Sequence, residues 1–424
     1  VLFVNTNDTH GGAARAAVRI MRGVQQSEID AQMFVKYSML KTDDIVCANQ
    51  ILPNRILYKF IEWIKQKITN RIYAYKWHLY RNTKKNVFLS DLRGIIAGDV
   101  WRSFDYDIVH IHWLNMRFID VRHLVNIHKP IVWTLHDSWA FTGICHVPYD
   151  CKNYEMQCGA CPMLGSSKEK DLAYEEFEKK SEAYKDLDLH IVTPSTWLAE
   201  CAKRSALLGR FPVHVIPNCI DTELYQPMDK ADARKVLGLE ADKKYLLFGA
   251  MNALADANKG FTYLKKAMKQ INDAGTELLV YGTNEDMQRF DLSIPARSLG
   301  YINNDKMMAL LYNAADVTIV PSLSENLSNT IMESLSCGTP VAAFKIGGNS
   351  DMIEHKQNGY LAKEKDSEDL AKGIEWCLEH NVDGLLSKNA RKKVLDNYSI
   401  DIVSKQYKQL YESLVCNNRL SYAK

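Results

Sequence analysis

The chain contains no run of about 18 apolar residues, the length a helix needs to cross a bilayer. It also lacks a dominant charge: 53 Lys and Arg face 51 Asp and Glu, leaving a formal net charge of +2. Nothing global argues for nucleic acid, and none is expected as a partner. Internal repeats and low-complexity tracts are missing too. The opening VLFVNTNDTHGG has no basic leader and no cleavage site, so it reads as a first strand and turn, and a cytoplasmic location is expected. Of ten cysteines, six (Cys47, Cys201, Cys219, Cys337, Cys377, Cys416) are scattered singly, as reduced thiols are.

With 424 residues, 46% apolar and 25% charged, the chain is an ordinary globular one and too long for a single core. Short apolar runs alternate with helical patterns. VLFVN, DIVHIHW, PIVWTLHD, LHIVTPS and VHVIPN are candidate strands of the first half. KYLLFGA, TELLVYG, ARSLGYI, DVTIVPS and PVAAF are those of the second. Unbroken apolar strands between amphipathic helices predict an α/β protein of two doubly wound, Rossmann-like domains. The expected division is 1–222, 223–395 and a C-terminal helix within 396–424 that packs back on the first domain. Ligands of such sheets gather outside the carboxyl ends of the strands. Gly11, Gly12, His136, Asp137 and Glu325 all fall there, so the site is expected between the domains.

PSLSENLSNTIMESLSCGTPV holds Glu325 and Glu333, eight positions apart around a predicted helix start near Ser328. One reading is structural: Thr330-x-x-Glu333 fits a capping box, and Glu325 is a solvated loop acid. The other is chemical. A helix starting at a strand's carboxyl end aims free N–H groups at an anion, and the two carboxylates can hold sugar and ribose hydroxyls.

GYINNDKMMALLYNAADVTIVPSLSENLSNTIMESLSCGTPVAAFKIGG resembles the E-x7-E region of the retaining GT-B glycosyltransferases of family 4, also called group 1. THGGAARAAVRI, VTPSTWLAECAKRS, VIPNCIDTELYQP, NKGFTYLKKA and YLAKEKDSEDLAKGIEWCLE resemble further pieces in family order, so the resemblance spans nearly the whole chain. It implies two domains facing each other across a cleft, the first on the acceptor side and the second binding the nucleotide sugar, and a hexosyltransferase using a nucleoside diphosphate sugar, UDP before GDP. It further implies retention of configuration and no metal or other cofactor in catalysis. By that resemblance Glu325 lies near the donor sugar and Glu333 holds the ribose. The amides of Asn326, Leu327 and Ser328 meet the sugar and distal phosphate. Lys259 neutralises the diphosphate, Gly11 and Gly12 allow close backbone approach, and His136 lies near the transferred sugar. Asp105–Asp107 and Asp186–Asp188 imitate a metal-binding D-x-D but stand at strand entries.

Two positions depart from the family. Ala250 replaces an arginine that many relatives pair with the lysine, with Asn258 just before Lys259. Cys219 stands where PNGID is common, so that turn is expected to avoid positive φ.

CHVPYDCKNYEMQCGACPML gives Cys145, Cys151, Cys158 and Cys161 in a C-x5-C-x6-C-x2-C spacing. A structural zinc, paired disulfides and free thiols all suit it. With HDSWAFTGICH it resembles a subset of the family from bacterial surface-polysaccharide assembly.

Between 51 and 90, Arg55, Lys59, Lys65, Lys67, Arg71, Lys76, Arg81, Lys84 and Lys85 face a single acid, Glu62. Tyr58, Phe60, Trp63, Tyr73, Tyr75, Trp77 and Tyr80 are interleaved. Either this is a membrane-interface helix, suiting a lipid-linked glycan acceptor, or a helical pair packed on its own domain. The expected function is sugar transfer to a growing lipid-linked glycan. A nucleotide-sugar epimerase of similar fold and a catalytically silent glycan-binding or assembly protein are the alternatives.

Overall fold

A computed structural model describes residues 1–51, 56–80, 82–84, 88–96, 98–250, 252–271, 273 and 275–422. The chain divides into two compact units, Val1–Ile216 with Ser404–Lys424, and Pro217–Val403.

The first unit is built on strands β1 (Leu2–Asn7), β2 (Gln32–Tyr37), β3 (Ile45–Cys47), β4 (Val109–Ile111), β5 (Ile131–Thr134), β6 (Leu189–Thr193) and β7 (Val213–Val215). They form one parallel sheet in the order β3-β2-β1-β4-β5-β6-β7. Side chains alternate across it, as strand geometry requires. Leu2, Val4, Val109, Ile111, Ile131 and Trp133 join the main core. Phe3 and His110 point to the other face, with ring centroids 4.7 Å apart. The helix Ile400–Tyr422 supplies Tyr407 and Tyr411 to that face, where Tyr411 Oη lies 2.7 Å from His110 Nδ1 and Tyr407 Oη 3.0 Å from Thr134 Oγ1.

The second unit holds β8 (Lys244–Gly249), β9 (Thr276–Tyr281), β10 (Ala296–Ser298), β11 (Val317–Val320), β12 (Val341–Phe344) and β13 (Gly359–Ala362). These are parallel in the order β10-β9-β8-β11-β12-β13. Tyr245 and Leu247 enter one core, Leu246 and Phe248 the other, so both faces are covered. That is why these strands read as unbroken apolar runs.

All ten expected strand runs carry a strand, and β2, β3 and β13 are additional. Cys219 is absent from the residues with positive φ, as its turn was expected to require. The capping box does not form. Ser328 is the N-cap of the helix Asn329–Ser336, which leaves Thr330 inside the first turn and Glu333 beyond reach of the cap.

Among the described residues of the basic aromatic insert there is one long helix, Ile56–His78, instead of a helical pair. Arg55, Arg81 and Lys85 lie outside the described residues, as do the side chains of Tyr58, Lys59, Phe60, Glu62, Trp63 and Lys65. One side of the helix is tied to its own unit. Tyr73 is buried and donates to Glu176 Oε1 at 3.0 Å, and Trp77 Nε1 donates to Asp91 Oδ2 at 3.1 Å. Ile64, Ile68, Ile72, Tyr75 and Leu79 are 37–68% exposed. Their spacing of four, four, three and four places them on one stripe of the helix. Among the described residues no helix is long and apolar enough to cross a membrane.

Candidate active site

In the second unit, β11 ends at Val320 and the chain runs through Glu325 to the helix Asn329–Ser336. A one-turn 3-10 helix, Ala257–Lys259, lies against this loop. Leu323 N donates to Asn258 O at 2.8 Å, and Asn258 Nδ2 donates to Ser324 O at 3.0 Å. Asn258, a departure from the family pattern, is therefore what ties the lysine segment to the glutamate loop. Gly260 follows with φ +72°, and a Cβ there would stand 1.8 Å from Pro321 O. Only glycine permits that approach.

This zipped geometry brings Lys259 Nζ to 2.8 Å from Glu325 Oε1. Both side chains are only partly exposed. The Glu325 carboxylate raises the lysine pKa, so Lys259 is a cation at neutral pH. Gly347 packs behind Glu325: it has φ +46°, and a Cβ would lie 1.8 Å from Glu325 O. Gly348 N donates to the same carbonyl at 3.3 Å.

Glu333 is buried inside the helix, where Tyr312 Oη donates to its Oε2 at 3.0 Å. Tyr281 Oη stands 3.5 Å from both Tyr312 Oη and Thr330 Oγ1. Leu327 and Ser328 are buried at the helix start and Asn326 is partly exposed. Tyr312 and Gly347 were not singled out from sequence. Each acts through a contact with a residue distant in the chain, which spacing does not reveal.

In the first unit the carboxyl ends of β1, β4 and β5 lie side by side. Gly11 opens the helix Gly11–Gln26 with φ +87°, a conformation that favours glycine, and Gly12 is exposed beside it. His136 follows β5, and its Nε2 lies 2.9 Å from His112 Nδ1. Burial lowers the His136 pKa to about 4 and places His110 and His112 well below the ordinary histidine value. All three rings are neutral at pH 7. Asp137 carries the charge nearby. Burial would raise its pKa, but His146 Nδ1 at 2.7 Å, Trp139 N at 2.8 Å and Trp113 Nε1 at 3.1 Å hold it below the usual carboxylate value.

Lys180, fully buried, closes the loop after Asp137 by donating to the carbonyls of Trp139, Thr142 and Gly143 at 2.5, 2.8 and 3.1 Å. The cysteine cluster adjoins this loop. Gly143 N donates to Cys158 Sγ at 3.2 Å. Cys151 and Cys161 also accept backbone N–H groups, from Asn153 and from Leu164 and Met163. The Cys145 thiol donates to Cys161, whose pKa is lowered to about 7 chiefly for that reason. Among the described residues, no three His, Cys, Asp or Glu are arranged to hold a metal ion.

A family profile described as Glycosyltransferase Family 4 matches residues 10–224, just over half of the chain. A second, Glycosyl transferases group 1, matches residues 242–380. The chain belongs to Glycosyltransferase Family 4. This glycosyltransferase is 26% identical to an uncharacterized glycosyltransferase of Methanocaldococcus jannaschii, over 72% of its own length and 75% of that protein. It is 25% identical to the UDP-Gal:alpha-D-GlcNAc-diphosphoundecaprenol alpha-1,3-galactosyltransferase of Escherichia coli, over 58% and 68% of the two chains. Its fold is shared with Anabaena HepE in complex with UDP and glucose, at a TM-score of 0.67 and 17% identity, covering 97% and 99%. Sucrose-phosphate synthase from Thermosynechococcus elongatus gives 0.68 at 19% identity, covering 98% and 99%. The two parallel sheets of this glycosyltransferase are thus those of the GT-B architecture.

Proposed function

We propose that this glycosyltransferase moves a hexose, with retention, from a UDP-sugar to a lipid-linked glycan in polysaccharide synthesis. The observation that carries the donor reading is Lys259 held against Glu325 beside the helix start at Ser328, with Glu333 buried in the same helix. A diphosphate suits a cation and free N–H groups, because negative charge develops on it as it leaves. Glu325 then accepts from a sugar hydroxyl, and Glu333 takes ribose hydroxyls in addition to its bond from Tyr312. Gly11 and Gly12 leave room for the substrate beside β1. His136, neutral, donates or accepts near the transferred sugar without adding charge.

In this reading the anomeric C–O bond to phosphate breaks while the acceptor oxygen bonds to the same face. The acceptor proton passes to the leaving phosphate. Lys259 and the helix start meet the charge on the departing nucleoside diphosphate, a role that calls for no metal. The relatives that support a UDP-sugar are the galactosyltransferase acting from UDP-Gal and the HepE complex with UDP and glucose.

The acceptor reading has its own support. The stripe Ile64, Ile68, Ile72, Tyr75 and Leu79 is exposed, and Lys67 and Arg71 are exposed on the same helix. No acid occurs between residues 64 and 80. An apolar stripe among cations lies well in an anionic membrane interface. Peripheral attachment there would bring the enzyme to a lipid-borne substrate.

The test is thermal stability against UDP, GDP, ADP, dTDP and CMP, with Glu333→Ala alongside. A ligand stabilises the state it fits. A shift with UDP alone, lost in the variant, is expected. No shift with any nucleotide would instead favour a silent assembly protein.

A further inference from the structure

Asn115 is 4% exposed, and neither Oδ1 nor Nδ2 of its side chain has a hydrogen-bond partner among the described residues. His112 is 2% exposed, and its Nε2 is likewise unpartnered. Both line one small cavity, about 10 Å³, at the carboxyl ends of β4 and β5. His136 and Trp113 line it as well.

A buried amide with neither end paired is rare in native proteins and destabilising. The chain does not leave it so for want of order. Thr6 Oγ1 fixes the backbone by donating to Trp113 O at 2.9 Å and Asn115 O at 3.0 Å, and Trp113 N donates to Asn5 Oδ1 at 3.0 Å. The two residues that follow, Met116 and Arg117, are held at φ +57° and +59°. The loop's backbone is thus hydrogen-bonded in place around an unsatisfied amide.

The cavity's chemistry selects its guest. Its carboxylate, Asp137, is already engaged by His146, Trp139 and Trp113, so no free charge faces inward. His112 Nδ1 shares one proton with His136 Nε2. Whichever ring donates, His112 Nε2 is left as an acceptor or a donor. A hydroxyl, which does both, complements it in either tautomer. The volume holds one group the size of a water. Beside it the part-exposed Trp113 stacks on the exposed Phe88, with centroids 6.0 Å apart. Flat apolar rings next to a hydroxyl-sized polar recess suit a neutral sugar ring.

We infer that Asn115 and His112 form a hydroxyl-binding subsite that takes a ring hydroxyl of the acceptor glycan, with Trp113 as the surface on which that sugar lies. This rests on the reading of the first unit as the acceptor side. It adds a specificity determinant that distinguishes acceptors by one hydroxyl.

The test is calorimetric titration of methyl glycosides of glucose, galactose, mannose and N-acetylglucosamine into the full chain and into Asn115→Leu. A subsite predicts about tenfold weaker binding of the preferred glycoside in the variant, and an unchanged or higher Tm, since an isosteric apolar group relieves the unpaired amide. A merely structural asparagine predicts a lower Tm and unchanged glycoside affinity. Asn115→Ala repeats the comparison should the leucine variant not fold. Equal glycoside affinity in the variant, or no glycoside binding by the wild-type chain, would mean that the recess holds buried water only and overturn the inference. UDP titration into the same samples reports separately on the second unit. Glycoside binding without UDP binding would sink the donor reading and leave the subsite standing.

Discussion

Lys259 Nζ stands 2.8 Å from Glu325 Oε1, although 66 positions separate the two residues in the chain. The pair is held by Asn258 and Gly260 on one side and by Gly347 on the other, so the cation is positioned before any ligand arrives. If it meets the leaving diphosphate, Lys259→Ala should lower kcat by about 10²- to 10³-fold, the usual scale for a lost group that stabilises transition-state charge. Lys259→Arg should recover part of that loss. Donor turnover by both variants, beside their Tm values, checks the role. A fall in Tm with little change in kcat would assign the pair to stability instead.

Glycines at the site can be tested against a glycine elsewhere. Alanine at Gly260 or Gly347 meets a carbonyl at 1.8 Å and a left-handed backbone, whereas alanine at Gly238, φ +64°, meets nothing within 4 Å. Gly238→Ala should cost about 1 kcal/mol, from the backbone term alone. Gly260→Ala and Gly347→Ala should cost more, about 2–4 kcal/mol, since the loop must also move. Urea unfolding of the three variants measures the difference. The Gly347 variant should also lose donor affinity, because the atom displaced is the carbonyl of Glu325.

Which parts of this were readable from sequence follows from the range of the interactions. The buried strands declared themselves through unbroken apolar runs such as TELLVY and VTIV. β3 has only three residues, IVC, and β13 reads GYLA, too little apolar pattern to stand out. Glu325 and Glu333 stood out through the E-x7-E spacing, and Lys259 through the resemblance of NKGFTYLKKA to the family's lysine segment. Tyr312, Gly347 and Lys180 did not, since each acts on a residue that only the fold brings close, and Asn115 did not, since its burial without a side-chain partner is a property of the fold. Ala250 reads as a loss from the diphosphate clamp, whereas the part played by Asn258, its contacts with Leu323 and Ser324, had no signal in the sequence. The stripe on the helix Ile56–His78 was obscured by aromatic residues on both sides of the helix. Tyr73 and Trp77 turned inward and Tyr75 outward, a division that needs the fold to be seen.

The histidines predict how stability responds to acid. Folding holds His136 at about 4 and His110 and His112 well below their ordinary value of 6.5. Between pH 6.5 and about 4 the unfolded chain therefore binds protons that the folded chain does not. Stability rises with pH across that window and is lost as pH falls through it. Tm measured from pH 7 to 4 should fall, and His136→Gln should flatten part of the slope. Parallel curves for the two proteins would mean that His136 titrates alike in both states.

The cysteine cluster yields the last prediction. Its four sulfurs are of the kind a thiolate-bound ion takes: Cys151, Cys158 and Cys161 each accept a backbone N–H, although burial holds the Cys151 and Cys158 thiols above their ordinary pKa, and the Cys145 thiol contacts Cys161. No three donors are arranged around a common point among the described residues, so a zinc would require the sulfurs to close up. We propose that they do, because four thiols spaced as C-x5-C-x6-C-x2-C in one loop have a ligand set of the right number and kind for a tetrahedral site. Metal analysis should find about one zinc per chain, and chelation should lower Tm, since binding energy at such a site is folding energy. The loop concerned is the one closed by Lys180 after Asp137, so chelation should also reduce transfer more than it reduces UDP binding in the other unit. A metal-free protein whose four thiols react freely would remove the zinc. Its Cys145–Cys161 contact would then remain as the close packing of two reduced side chains.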